Sequence, residues 1–212
     1  MAFFATGPWL PVVILGLAAF AAVYSGFQRS ETLMIFQGCV FLCVAMLAAG
    51  PASGPGSALV GDLDRAVSGP AVAASVFVLL CFAVAWRGRD GSTLDKVQRF
   101  VYSGLAAYVL AGCLVILTGR LAGHGGLAVV RTFSLCVISV AGAWSGARFL
   151  KPELTWVAYA GMAACTLKLL LQDLRGSATS IAVSLFLYGA VWMLIPRLIR
   201  SRERARAAAG LS

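Results

Sequence analysis

Two cations, Arg131 and Lys168, stand inside long apolar runs of the 212-residue chain, and their surroundings come nearest to a recognisable chemistry. Arg131 is about four residues into one run and Lys168 about three from the end of the next, so each lies roughly 5 to 6 Å below the same membrane surface. At 100° per residue, Ser134, Ala141, Gly142 and Ser145 fall within about 80° of Arg131, and Ala158, Gly161, Ala164 and Cys165 within about 80° of Lys168. Both faces are small and partly polar, which predicts that both cations point into protein. The next run adds Ser177, Ser180, Ser184 and Tyr188 as a polar stripe beginning at the same surface. The ligand-binding candidates are therefore Arg131, Lys168, Ser134, Ser180 and Ser184. Two positive charges among hydroxyls suit a carboxylate, a phosphate or a lipid headgroup, because charge inside a membrane is costly and is usually matched. The competing account is structural: Lys168 snorkels to the interface, and Arg131 pairs with Asp173, Asp62 or Asp64. Three outer carboxylates suffice for two cations, which favours the structural account. Asp173 lies about 140° around the helix from Lys168, so Asp62 or Asp64 is the better-placed partner.

Other chemistries fail for want of residues. The single histidine, His124, falls in the glycine-rich stretch AGHGG, which predicts an outer loop and denies the chain a bis-histidine haem site. No Asp or Glu occurs in the middle of a span, where proton and cation pathways commonly place carboxylates. The last span has no lysine to carry retinal. Ser103 and Ser145 each precede a glycine, but the only histidine is expected on the opposite side of the membrane, and a nucleophile needs its base within hydrogen-bond reach. The six cysteines all fall in apolar runs, where a free thiol packs as a small hydrophobe, with no disulfide or zinc spacing. No catalytic residue, metal or cofactor is expected, and the chain reads as non-enzymatic.

The elements that must position these residues follow from composition. Hydrophobic residues make up 60% of the chain and charged residues 12%, and the mean hydropathy is +0.90. A soluble domain carries about 25% charged residues, so this is a membrane protein. Apolar runs predict an all-α, polytopic transmembrane bundle of about seven spans, near 8–24, 32–49, 71–86, 99–118, 127–147, 155–171 and 178–196. Residues 1–196 form a single bundle in this reading. Residues 50–70, rich in Gly, Pro and Ser, form an outer loop, and 197–212 a basic tail. With the carboxyl terminus in the cytoplasm, twelve of seventeen Lys and Arg residues fall inside, a positive-inside bias that places the amino terminus outside. Trp86, Trp144, Trp156 and Trp192 near expected cytoplasmic ends, and Trp9 at an outer end, agree with the interfacial preference of tryptophan. The net charge of +9 is thus a topology signal, and no nucleic-acid partner is expected. The tail arginines are expected to lie along anionic lipid.

Gly142 and Gly146 form a GxxxG pair, and Ala107/Ala111 and Ala160/Ala164 are small-xxx-small pairs, spacings that let helices approach closely in lipid. The segment Lys168–Arg200 resembles the end of large, functionally uncharacterised bacterial polytopic membrane proteins, in which Lys-Leu is followed by Asp-Leu, a short turn and a final helix with Ser and Gly. Lys168, Leu169, Asp173, Leu174, Ser184 and Gly189 stand at similar places. The resemblance covers under a sixth of the chain and implies no activity. With short loops and no catalytic constellation, lateral helix faces are the main surface left. That predicts a subunit or scaffold of a larger complex in the bacterial inner membrane, in contact with the bilayer and with other membrane-protein chains. The alternative is a transporter or binder of a small anion or lipid through the outward-facing polar cluster.

Overall fold

A computed structural model describes residues 9–49, 58–59, 68–87, 93–149, 151–171 and 178–208. The helices are α1 (Trp9–Arg29), α2 (Thr32–Ala48), α3 (Gly69–Arg87), α4 (Thr93–Phe149), α5 (Pro152–Leu171) and α6 (Ala178–Ala208), and no strand occurs among the described residues. In hydrocarbon each backbone N–H and C=O must be bonded inside its own segment, which long apolar helices accomplish. Among the described residues six stretches are long and apolar enough to cross a membrane, two of them within α4 (Asp95–Gly119 and Gly126–Phe149), while the apolar α2 is 17 residues long. The expected all-α bundle of membrane-spanning helices is what the chain forms.

The backbone differs from expectation within α4. A loop holding His124 is expected between 118 and 127, yet α4 runs unbroken through that stretch. Propagating a helix adds one hydrogen bond per residue fixed, whereas restarting one needs a costly nucleus. Two long helical flanks therefore carry the ladder across four glycines that each disfavour it by about 1 kcal/mol. The last helix also outruns its expected end at 196, continuing through Pro196 to Ala208. Arginine and alanine, which dominate that extension, are among the strongest helix formers. Of the expected loop 50–70, Ala58 and Leu59 are described and buried, and Gly69 and Pro70 already belong to α3.

Packing divides the chain into two compact units, Met1–Ile116 and Leu117–Ser212. In the first, α1 packs on α2 and α3. Its turn into α2 is a Schellman closure: Ser30 takes the left-handed φ of 57° and the Glu31 N–H donates to Gly26 O at 2.9 Å. Close approach of α1 and α2 requires glycine at 38, where a Cβ would come within 2.5 Å of Val23 Cγ2 and 3.0 Å of Ala19 O. The core beneath joins Ala19, Val23, Ile35, Leu42, Val78 and Cys81 to Tyr102 and Val109 of α4.

In the second unit the GxxxG pair works within the chain. A Cβ at Gly146 would sit 2.6 Å from Thr155 Oγ1 and 2.9 Å from its backbone N, and one at Gly142 would sit 3.4 Å from Leu154 O, so these glycines seat the end of α4 against the start of α5. Ala143, Ala158, Met162 and Ile195 fill the core there. The final helix, α6, packs on α5 but leaves Val183, Leu185, Phe186, Met193 and Leu194 exposed.

Candidate functional site

Lys168 reaches from α5 across to α4. Its Nζ donates to Ala128 O at 2.9 Å and to Thr132 Oγ1 at 2.6 Å, while Thr132 Oγ1 donates to Ala128 O at 3.3 Å. The ammonium, with three donors to place, thus ties the two helices together through neutral oxygens. It points inward because its neighbours around α5, Ala158, Cys165 and Leu169, are buried.

The other candidates are placed less uniformly. Ser134 is buried, but its hydroxyl donates to Val130 O on its own helix at 2.9 Å. Ser184 is fully buried, and its Oγ has no hydrogen-bond partner among the described residues. Ser180 and Arg131 are half-buried. The Tyr188 hydroxyl pairs with Thr166 Oγ1 of α5, completing a polar link between α5 and α6. Asp62, Asp64 and Asp173, the expected charge partners, lie outside the described residues, as does Ser177.

The inward face of α4 differs from the one reckoned from Arg131. Ala141 is exposed and Gly142 and Ser145 are half-buried, whereas Thr132, Cys136, Ser139, Ala143 and Gly146 form the buried stripe. That stripe is about 100° around the helix, one residue on from Arg131. Packing against α5 decided it: the helices approach closely where Gly146 meets Thr155 and Gly161 meets Ser139, and Arg131 is left at the edge. No signal in the sequence separates this stripe from the Arg131 face, whose Ser134, Ala141, Gly142 and Ser145 are as small.

Three further polar placements were not foreseen. Ser139 is 2% exposed, its Oγ lacks a partner, and it lies 2.5 Å from where a Cβ on Gly161 would be. Glu153, in the first turn of α5, is 7% exposed with Oε2 unpartnered. In the first unit, Tyr102 OH donates to Ile35 O at 2.8 Å and Gln98 Nε2 to Thr32 O at 3.0 Å, beside an Arg99 that is only 4% exposed. Position near a span end marked Arg99 as a topology residue, and nothing in the sequence distinguishes a buried arginine from a solvated one there.

The polar contacts of Lys168, Tyr188 and Tyr102 join helices to one another. Among the described residues no three His, Cys, Asp or Glu side chains gather to hold a metal, and the cysteines are free thiols. Two apolar grooves open on the second unit: one of about 460 Å³ between α5 and α6, and one of about 520 Å³ between the second half of α4 and α6. Neither is lined by Arg131, Lys168, Ser134, Ser180 or Ser184.

Fold and site together define a multi-pass, all-α integral membrane protein in which several polar side chains link neighbouring helices. No protein-family model matches the chain, and no curated protein or solved structure matches it.

Proposed function

We propose that the chain is a non-enzymatic subunit or scaffold of a larger complex in the bacterial inner membrane. One observation carries this reading: Ala160, Ala163 and Ala164 of α5 are exposed together beside the groove formed by Tyr159, Thr166, Leu167, Leu170 and Trp192. Exposed Leu and Phe are solvated by lipid tails and need no partner, but small residues at helical spacing let a second backbone approach. Gly142 and Gly146 have their close contact inside the chain, whereas Ala160 and Ala164 are exposed among the described residues. The twelve-to-five distribution of basic residues supports the orientation with the carboxyl terminus in the cytoplasm, and the resemblance of Lys168–Arg200 supports a bacterial inner membrane.

Purification from native membrane in mild detergent, with mass spectrometry of what accompanies the chain, tests the proposal. Co-purifying chains that are lost on Ala164→Trp are the expected result. A stable monomer with nothing bound would count decisively against it.

A second reading, binding of a small anion or lipid at the outer cluster, has one observation in its favour: the fully buried, unpartnered Ser184 hydroxyl, about one helical turn from Tyr188. The hydrogen bonds of Lys168 to the α4 turn support the structural alternative. Arg131→Ala and Lys168→Ala variants that assemble but lose cellular function would reverse this ranking.

A further inference from the structure

We propose that the groove between the second half of α4 and α6 is a binding site for an anionic phospholipid of the bilayer, with one acyl chain along the groove and the phosphate held at its basic end. The site is separate from both the outer cluster and the Ala160/Ala164 face.

The lining is almost wholly apolar. Phe133, Val137 and Trp144 of α4 face Leu187, Val191 and Leu198 of α6 across about 520 Å³. On each helix the lining runs from the first to the twelfth residue of its stretch, a rise of about 16 Å at 1.5 Å per residue. That is the depth of one leaflet, half of a hydrocarbon core about 30 Å thick. The groove runs from the middle of each span toward the charged end: its last lining residues, Trp144 and Leu198, stand within a few residues of Phe149 and Arg200, where the spans Gly126–Phe149 and Ala178–Arg200 finish.

Charge is concentrated at that end. Arg148 lies with its Cζ 5.3 Å from the centroid of the Trp144 ring, a wall of the groove. Arg197 precedes the lining residue Leu198, and Arg200 follows it by two. All three arginines are exposed, and none has a carboxylate partner among the described residues. An apolar channel about as long as one leaflet is deep, with exposed guanidinium groups and an interfacial tryptophan at its end, is complementary to a lipid with a phosphate-bearing anionic head. A zwitterionic lipid fits the groove equally well but brings its own cation to the arginines. The site therefore selects by headgroup charge, and the chain-filling contacts are common to both lipids.

Trp144 is a built-in reporter. In the full-length protein with Trp9, Trp86, Trp156 and Trp192 changed to Phe, reconstituted into phosphatidylcholine vesicles, brominated phosphatidylglycerol should quench Trp144 at a lower mole fraction than brominated phosphatidylcholine. Arg148→Gln and Arg197→Gln should each reduce that preference roughly fivefold. Arg148→Lys should retain most of it, since a phosphate accepts either cation. Ala141→Phe, which fills the groove wall, should reduce quenching by both lipids. Equal quenching by the two lipids in the parent protein overturns the proposal, as does a preference unchanged by both glutamine substitutions. Protection of Trp144 from both lipids overturns it in favour of a protein occupant.

Discussion

The two units solve the same problem, keeping apolar helices together in lipid, by different means. In the first, glycines and a tight hairpin bring α1, α2 and α3 into close contact, and the buried share of the apolar window reaches 39% in α3 and in the first half of α4. Its polar contacts gather at one end, where Tyr102 and Gln98 bond the first turn of α2. In the second, α6 is only 17% buried, two grooves stay open, and polar side chains bridge the helices at Lys168–Thr132 and Thr166–Tyr188. A unit closed by backbone proximity has little left to offer a partner. One linked by long or hydroxyl-bearing side chains keeps helix faces for lipid or protein, and the proposed sites both fall there.

The largest test of this contrast is steric. Gly38→Leu should destabilise the first unit by about 3 kcal/mol, because the new side chain meets Val23 and the α1 backbone. Leucine at Gly189, where a Cβ would meet nothing within 4 Å, should leave stability nearly unchanged. Equilibrium unfolding in mixed micelles would compare the two, and equal losses would break the distinction between a closed and an open unit.

Next in size is Lys168→Met, which keeps the length of the side chain and removes its bonds to Ala128 O and Thr132. A loss of about 1 kcal/mol is expected, the usual scale for interhelical hydrogen bonds in membranes. Its locality is the sharper readout: the buried thiols Cys136 and Cys165 should label faster with a small maleimide, whereas Cys81 in the first unit should not change. A more stable Lys168→Met protein would show that the ammonium is a liability retained for a ligand.

Smaller and opposite in sign is Ser30→Gly. A left-handed φ costs a residue with a Cβ about 1 kcal/mol, so glycine at this turn should raise the stability of the α1–α2 hairpin by that order. The smallest effect belongs to Ser184→Ala. Removing a buried hydroxyl that has no partner should be neutral or slightly stabilising. A loss of stability or of function would reveal a partner for it and strengthen the ligand reading of the outer cluster.

What the sequence determined by itself is the class and nearly every helix. Apolar runs of spanning length, broken at charges and Gly/Pro clusters, locate α1, α2, α3, α5 and the start of α6 to within a few residues, because in lipid a helix must satisfy its backbone from its own local hydrogen bonds. The same locality explains the miss at His124. A glycine-rich stretch signals a break, but whether the ladder stops depends on the helical flanks on both sides. The GxxxG pair was legible too, since spacing and size alone let backbones approach. Only tertiary structure decided which polar groups meet: that Lys168 bonds Thr132 and Ala128 O, that Tyr102 reaches Ile35 O, and that Arg99 and Glu153 are buried. Those outcomes turn on the rotation of one helix against another, and a shift of one residue, about 100°, moves a side chain from the edge of an interface to its centre. Periodicity places a residue on a face of its own helix; the fit of that helix against its neighbours, at close range, chooses which face lies inside.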